Sequence, residues 1–89
     1  MNAEVERKVK IYTREKCIGC RLLKLLLQKF GIEHTEIDMT NSEAIEYLRR
    51  NNINNASAPI LQIDKDFYAD IDIESKITDI LKIHGLLQK

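Results

Sequence analysis

Lys8-Val9-Lys10-Ile11-Tyr12-Thr13-Arg14-Glu15-Lys16-Cys17-Ile18-Gly19-Cys20, continuing through the leucine-rich stretch Arg21 to Phe30, decides the fold of this chain. Lys8 to Tyr12 alternates polar and apolar side chains with β-branched residues among them, the pattern of a strand. Thr13 to Lys16 is a polar loop. From Cys17 the period changes to that of a helix, with Leu22, Leu23, Leu25, Leu26, Leu27 and Phe30 forming a wide apolar face. Gly31 supplies the C-terminal stop. Two cysteines three residues apart therefore stand where a strand hands over to a helix.

Downstream, Ile32 to Asp38 returns to extended character, with a density of charge that suits an edge strand. Thr40-Asn41-Ser42-Glu43 fits a capping box before a second helix carrying Ile45, Tyr47 and Leu48. Asn51-Asn52-Ile53-Asn54-Asn55 ends that helix, because asparagine side chains compete for backbone hydrogen bonds. Ala58-Pro59 precedes the apolar run Ile60 to Ile63, a third strand. Asp64-Lys65-Asp66 reads as a tight turn into a short fourth strand at Phe67-Tyr68. Ile73, Ile77, Ile80 and Leu81 recur at helical spacing, with Asp70 or Asp72 as cap and Gly85 as terminator. The order is βαβαββα, an α/β layer fold with a four-stranded mixed sheet and three helices. At 89 residues, with no linker or internal repeat, residues 1–89 read as a single domain.

Fourteen basic residues balance fourteen acidic ones, so no overall positive excess is available for displacing counterions from nucleic acid. The charged segment Met1 to Lys10 lacks the apolar core of a signal peptide, and no stretch reaches the roughly 20 apolar residues of a membrane span. A cytoplasmic location, away from membranes, is the expectation. Stable structural disulfides are rare there, so a close thiol pair reads as catalytic or metal-binding.

The placement of Cys17 favours thiol chemistry. Only the thiolate attacks a disulfide, and a free cysteine is mostly protonated at neutral pH. Unpaired N–H groups and the positive end of the helix dipole favour a negative charge at Cys17, and Arg14 and Lys16 add to that field. Each unit of pKa lowering corresponds to about 1.4 kcal/mol of preference for the thiolate. Cys20 shares the helix face of Cys17, one turn deeper. Cys17 is thus expected to attack and to form a mixed disulfide, which Cys20 resolves.

Zinc or iron–sulfur binding is the competing reading of Cys17 and Cys20. Two further ligands would then be needed, and with His34 and His84 isolated in sequence the metal would have to be shared across a dimer. A binding domain with a vestigial cysteine pair is a third reading. His34 on an edge strand reads as a solvated residue. His84 reads as a cation beside a helix C-terminus. Tyr12 has two readings, a wall of the active-site groove or a strand tyrosine with its hydroxyl at the surface.

From about Val9 to Leu81 the chain resembles the glutaredoxin branch of the thioredoxin superfamily. Ile11 to Cys20 resembles the family's opening block, Gly31 to Asp38 its second strand, and Ser57-Ala58-Pro59-Ile60 stands where the family has Thr-Val-Pro. The resemblance implies a thioredoxin-like fold and a dithiol thiol–disulfide oxidoreductase, an electron carrier in cell redox homeostasis. It implies a cis Pro59 facing the cysteines, with the Ala58 backbone free to pair with an extended substrate or with glutathione. It also implies that Arg14 helps to hold glutathione.

The sequence departs from the family in three places. Ile18-Gly19 replaces Pro-Tyr or Pro-Phe, and Ala58 replaces Val. The Gly-Gly pair that cradles glutathione is missing from Phe67-Tyr68-Ala69-Asp70-Ile71-Asp72, where Asp70 or Asp72 remains to supply the acid. The resemblance therefore leaves two reductants open, glutathione as a co-substrate or a thioredoxin-reductase-type flavoprotein. Protein or small-molecule disulfides are the expected substrates, with ribonucleotide reductase a candidate among proteins, and the chain is expected to act as a monomer with no tightly bound cofactor.

Overall fold

The computed structural model describes residues 8–54, 57–69 and 72–87, leaving aside the side chains of Ile73 and Glu74. The elements run β1 (Val9–Thr13), α1 (Ile18–Lys29), β2 (Thr35–Asp38), α2 (Ser42–Arg50), β3 (Ile60–Ile63), β4 (Asp66–Ala69) and α3 (Ile73–Ile83). The four strands form one mixed sheet in the order β2-β1-β3-β4. β1 pairs in parallel with β2, placing Tyr12 opposite Ile37, and antiparallel with β3, placing Ile11 opposite Leu61. β3 and β4 form an antiparallel hairpin. The expected βαβαββα order is the observed one.

Side-chain alternation along the strands divides the core between the two faces of the sheet. On one face Val9, Ile11, Leu61 and Ile63 pack with Leu23 and Leu27 of α1 and with Ile77, Ile80 and Leu81 of α3. On the other, Tyr12 and Ile60 pack with Ala44 and Leu48 of α2. Because β1 has cover on both sides, its alternation is not a simple inside–outside pattern: Lys10 lies half-buried, its ammonium 5.5 Å from the centroid of the Tyr47 ring.

The helix boundaries follow from their caps. Cys17 is the N-cap of α1. At the other end Gly31 takes φ +70°, and the Gly31 and Ile32 amides return to the carbonyls of Gln28 and Leu27. That left-handed turn is the one glycine adopts without steric cost. Asn52 makes the same kind of turn after α2 with φ +66°, its amide bonding to Arg49 O and the Ile53 amide to Leu48 O.

Three expectations need correction. The cap of α2 is Asn41, whose Oδ1 accepts from the Glu43 and Ala44 amides, while the Thr40 hydroxyl donates to Asp38. The inward face of α2 is Ala44 and Leu48, and Ile45 and Tyr47 reach solvent. Of the α1 leucines only Leu23 and Leu27 are fully buried, and Leu25 is 61% exposed. Consecutive leucines point 100° apart on a helix, so one sheet surface cannot cover them all. At α3, Asp72 takes the N-cap position, and its carboxylate accepts from the Ser75 hydroxyl. Asp70, the other candidate cap, lies outside the described residues.

Candidate active site

The chain leaves β1 at Thr13, turns through Glu15 and Lys16, the latter at φ +56°, and enters α1 at Cys17. This short turn sets Cys17 at the end of the central part of the sheet. Cys17 and Cys20 are joined in a disulfide, their Cα atoms 5.2 Å apart. The Cys20 amide donates to Cys17 Sγ at 3.0 Å, so an otherwise unpaired first-turn N–H points at that sulfur. The same donor is available to a thiolate once the bond is opened, and a charged acceptor strengthens such a bond. No acidic residue stands in the first turn of α1 to offset the positive end of the helix.

Burial distinguishes the two cysteines. Cys17 is half-buried, whereas Cys20 is 4% exposed and lies on the inner side of α1.

A pocket of about 400 Å³ opens beside the pair, lined by Thr13 and the β1–α1 loop, by Ile18, Cys20, Arg21 and Lys24 of α1 and by Glu36 of β2. Arg14, Lys16, Arg21 and Lys24 all border it. Lys24 Nζ lies 3.1 Å from Glu36 Oε1, and the Thr13 hydroxyl donates to Glu36 Oε2 at 2.9 Å. The Thr13 hydrogen bond, with that of Lys24 and its charge, holds the Glu36 carboxyl below the ordinary carboxylate value. Asp38 nearby is lowered as well, chiefly by hydrogen bonds from the Thr40 side chain and backbone and to a smaller extent by the charge of Arg14.

The Ala58–Pro59 peptide bond is cis. Pro59 meets the cysteine motif at Gly19, where a Cβ on residue 19 would lie 3.1 Å from Pro59 Cδ. Gly19 thus permits the close approach of the proline to the first turn of α1, a contact its helix propensity gives no hint of. Arg14, by contrast, stands in the pocket bordered by Lys24 and Glu36. Asp70, the remaining residue expected at a glutathione groove, lies outside the described residues.

Tyr12 is placed differently from either reading of it. It is 1% exposed, packed between the sheet and α2, and its hydroxyl donates to Gln62 Oε1 at 2.6 Å. Burial, with a smaller contribution from Tyr47, pushes its phenol up to about 12. The ring is core, with no face toward the cysteines' pocket. Of the histidines, His34 Nδ1 lies 3.0 Å from Ile32 O. His84 is buried, with Nε2 2.7 Å from the Tyr68 hydroxyl and the two rings edge to face. It braces α3 against β4 rather than standing free at a helix end.

Sequence reasoning passed over Arg21, Lys24, Glu36 and Ile18 as site residues. Positions 17, 21 and 24 share a helix face, so a signal for the two cations was present, although any solvated helix face offers the same spacing. Glu36 arrives from another element and had no such signal. Ile18, 84% exposed beside Cys17, breaks the rule that apolar residues near a helix start face the core.

A thioredoxin-like α/β sheet that presents a Cys-x-x-Cys pair at a helix N-terminus, across from a cis proline, defines a thiol–disulfide oxidoreductase. The chain belongs to the glutaredoxin family, whose sequence pattern it matches over residues 9–68. Among solved structures it is similar to the glutaredoxin of Brucella melitensis, with 32% identity over 90% of this chain and 87% of that one and a TM-score of 0.63. It is likewise similar to glutaredoxin 1 of Francisella tularensis, a structure in complex with cacodylate, with 25% identity, 85% and 98% coverage and a TM-score of 0.60. The thioredoxin-like protein BC3987 matches at 26% identity, 90% and 100% coverage and a TM-score of 0.67. No curated protein sequence matches the chain. Among the described residues no group of three or more His, Cys, Asp or Glu is arranged to hold a metal ion, and no helix is long and apolar enough to cross a membrane.

Proposed function

We propose that the protein is a cytoplasmic dithiol electron carrier that reduces disulfides of other proteins. The observation that carries this reading is the asymmetry of the pair: Cys17 half-buried with a backbone donor on its sulfur, and Cys20 enclosed behind it. In the reduced protein the Cys17 thiolate attacks one sulfur of a substrate disulfide. A Cys17–substrate disulfide forms, and the other substrate sulfur leaves as a thiolate that takes up a proton. Cys20 loses its proton, attacks Cys17 Sγ and releases the second substrate thiol. Two electrons pass to the substrate, and the protein is left in the disulfide form described above.

Re-reduction runs the exchange in reverse, with a dithiol of a thioredoxin-reductase-type flavoprotein or two glutathione molecules as donor. The family uses glutathione, and the cations around Cys17 suit its carboxylates. The missing glycine pair after β4 favours the flavoprotein. Ribonucleotide reductase is a candidate among protein substrates, and the carrier would act as a monomer.

Paired turnover assays separate the donors: glutathione with its reductase in one, thioredoxin reductase in the other. Turnover is expected in at least one and most strongly with the flavoprotein. Cys17→Ser should fall to background, and Cys20→Ser should stop after one exchange with substrate held on Cys17, visible by mass spectrometry under non-reducing conditions. Absence of turnover with both donors defeats the carrier reading.

A further inference from the structure

The chain's net charge is zero, yet its charges are not evenly spread. Four cations border the pocket beside the disulfide, against a single carboxylate, and that carboxylate is already paired with Lys24. Arg21 makes no ion pair among the described residues. A field of this kind at a reactive sulfur draws in anionic partners and repels cationic ones. Ile18, 84% exposed, lines the same pocket next to Cys17. Its exposure contributes nothing to the core, and a β-branched residue is not a favoured helix former.

Helix geometry turns these residues into a spacing. Arg21 lies four residues beyond Cys17, about 6 Å along the helix axis at 1.5 Å per residue. An extended chain advances about 3.3 Å per residue, so a strand bound along α1 with its cysteine at Cys17 brings the side chain about two residues away to Arg21.

The geometry points to a preferred substrate class, resting on the carrier reading above: a disulfide in an acidic polypeptide segment. An Asp or Glu about two residues from the attacked cysteine would pair with Arg21, and an apolar neighbour would cover Ile18. The occupant is an acidic protein segment rather than a basic one, because only the former complements the pocket. The chemistry is unchanged: the two electrons of the Cys17–Cys20 dithiol go to the peptide disulfide, giving two peptide thiols and the protein disulfide.

Three short peptides, each a symmetric disulfide dimer with Leu beside the cysteine and Glu, Gln or Lys two residues on, test this with the reduced protein. Their reduction rates are divided by those with dithiothreitol, which removes differences in intrinsic reactivity. The Glu peptide is expected to react about tenfold faster than the Lys peptide at low ionic strength, with the difference shrinking at high salt. Arg21→Glu should sharply reduce that preference, and Ile18→Ser should slow the Glu peptide, with far-UV circular dichroism confirming that both variants are folded. Equal normalised rates for the three peptides, or an unchanged preference in a folded Arg21→Glu variant, overturn the inference while leaving the carrier reading intact. Failure to reduce any of the three defeats both.

Discussion

The Tyr12 hydroxyl and the Gln62 amide form a buried polar contact on the α2 side of the sheet, extended by Gln62 Nε2 to the Tyr47 hydroxyl and to Asp64 O. Replacing Tyr12 with Phe leaves the buried Gln62 Oε1 without this donor, at a cost of about 1–3 kcal/mol. Tyr12→Phe should therefore lower the urea midpoint while the rate of substrate reduction per folded molecule is retained. A matching loss of rate would put Tyr12 at the pocket after all. The raised phenol gives a second readout. Its folded value is above the unfolded 10.0, so the stability it carries is complete below pH 10 and is lost as pH rises through about 12. Tyr12→Phe should flatten that part of the alkaline stability profile.

At the scale of elements, Glu36 is the tie between α1 and the edge strand β2, through Lys24 on one oxygen and Thr13 of β1 on the other. The pair is solvent-exposed, so its contribution is small and screened by salt. Its direction is nevertheless definite. A carboxyl lowered from 4.5 in the folded protein stabilises it above that pH, and the benefit is lost as pH falls through the folded value. Wild-type protein should lose thermal stability on acidification below pH 4.5 more steeply than Glu36→Gln, which keeps the Thr13 contact but not the charge. Parallel melting curves for the two across that range would remove Glu36 from this role.

For the molecule as a whole, one sheet serves two clusters of apolar side chains, so neither face can come apart without the other. Unfolding should be a single transition, with circular dichroism and tyrosine fluorescence coincident. Leu23 and Leu25 provide the contrast. Leu23→Ala opens a cavity at a fully buried site and should cost about 2–5 kcal/mol, a large share of the 5–15 kcal/mol typical of a domain. Leu25→Ala, at an exposed site, should change stability by no more than about 0.5 kcal/mol. Similar costs for the two would contradict the packing of α1.

Cys17 and Cys20 at a strand-to-helix junction were legible in the sequence, because spacing, periodicity and the helix terminus are local properties of the backbone. So were the order of elements and their glycine and asparagine stops. Tertiary structure alone decided that Gly19 lies against Pro59, that Ile18 stays exposed beside the cysteines, and that Lys24 finds Glu36. Each of those depends on which face of an element meets another, and side chains from distant segments converge only once the sheet is assembled. It also placed Tyr12, read from sequence as a groove wall or a surface tyrosine, in the core. A strand covered on both faces has no outer side, and nothing in a run of five residues says how many of its faces will be covered.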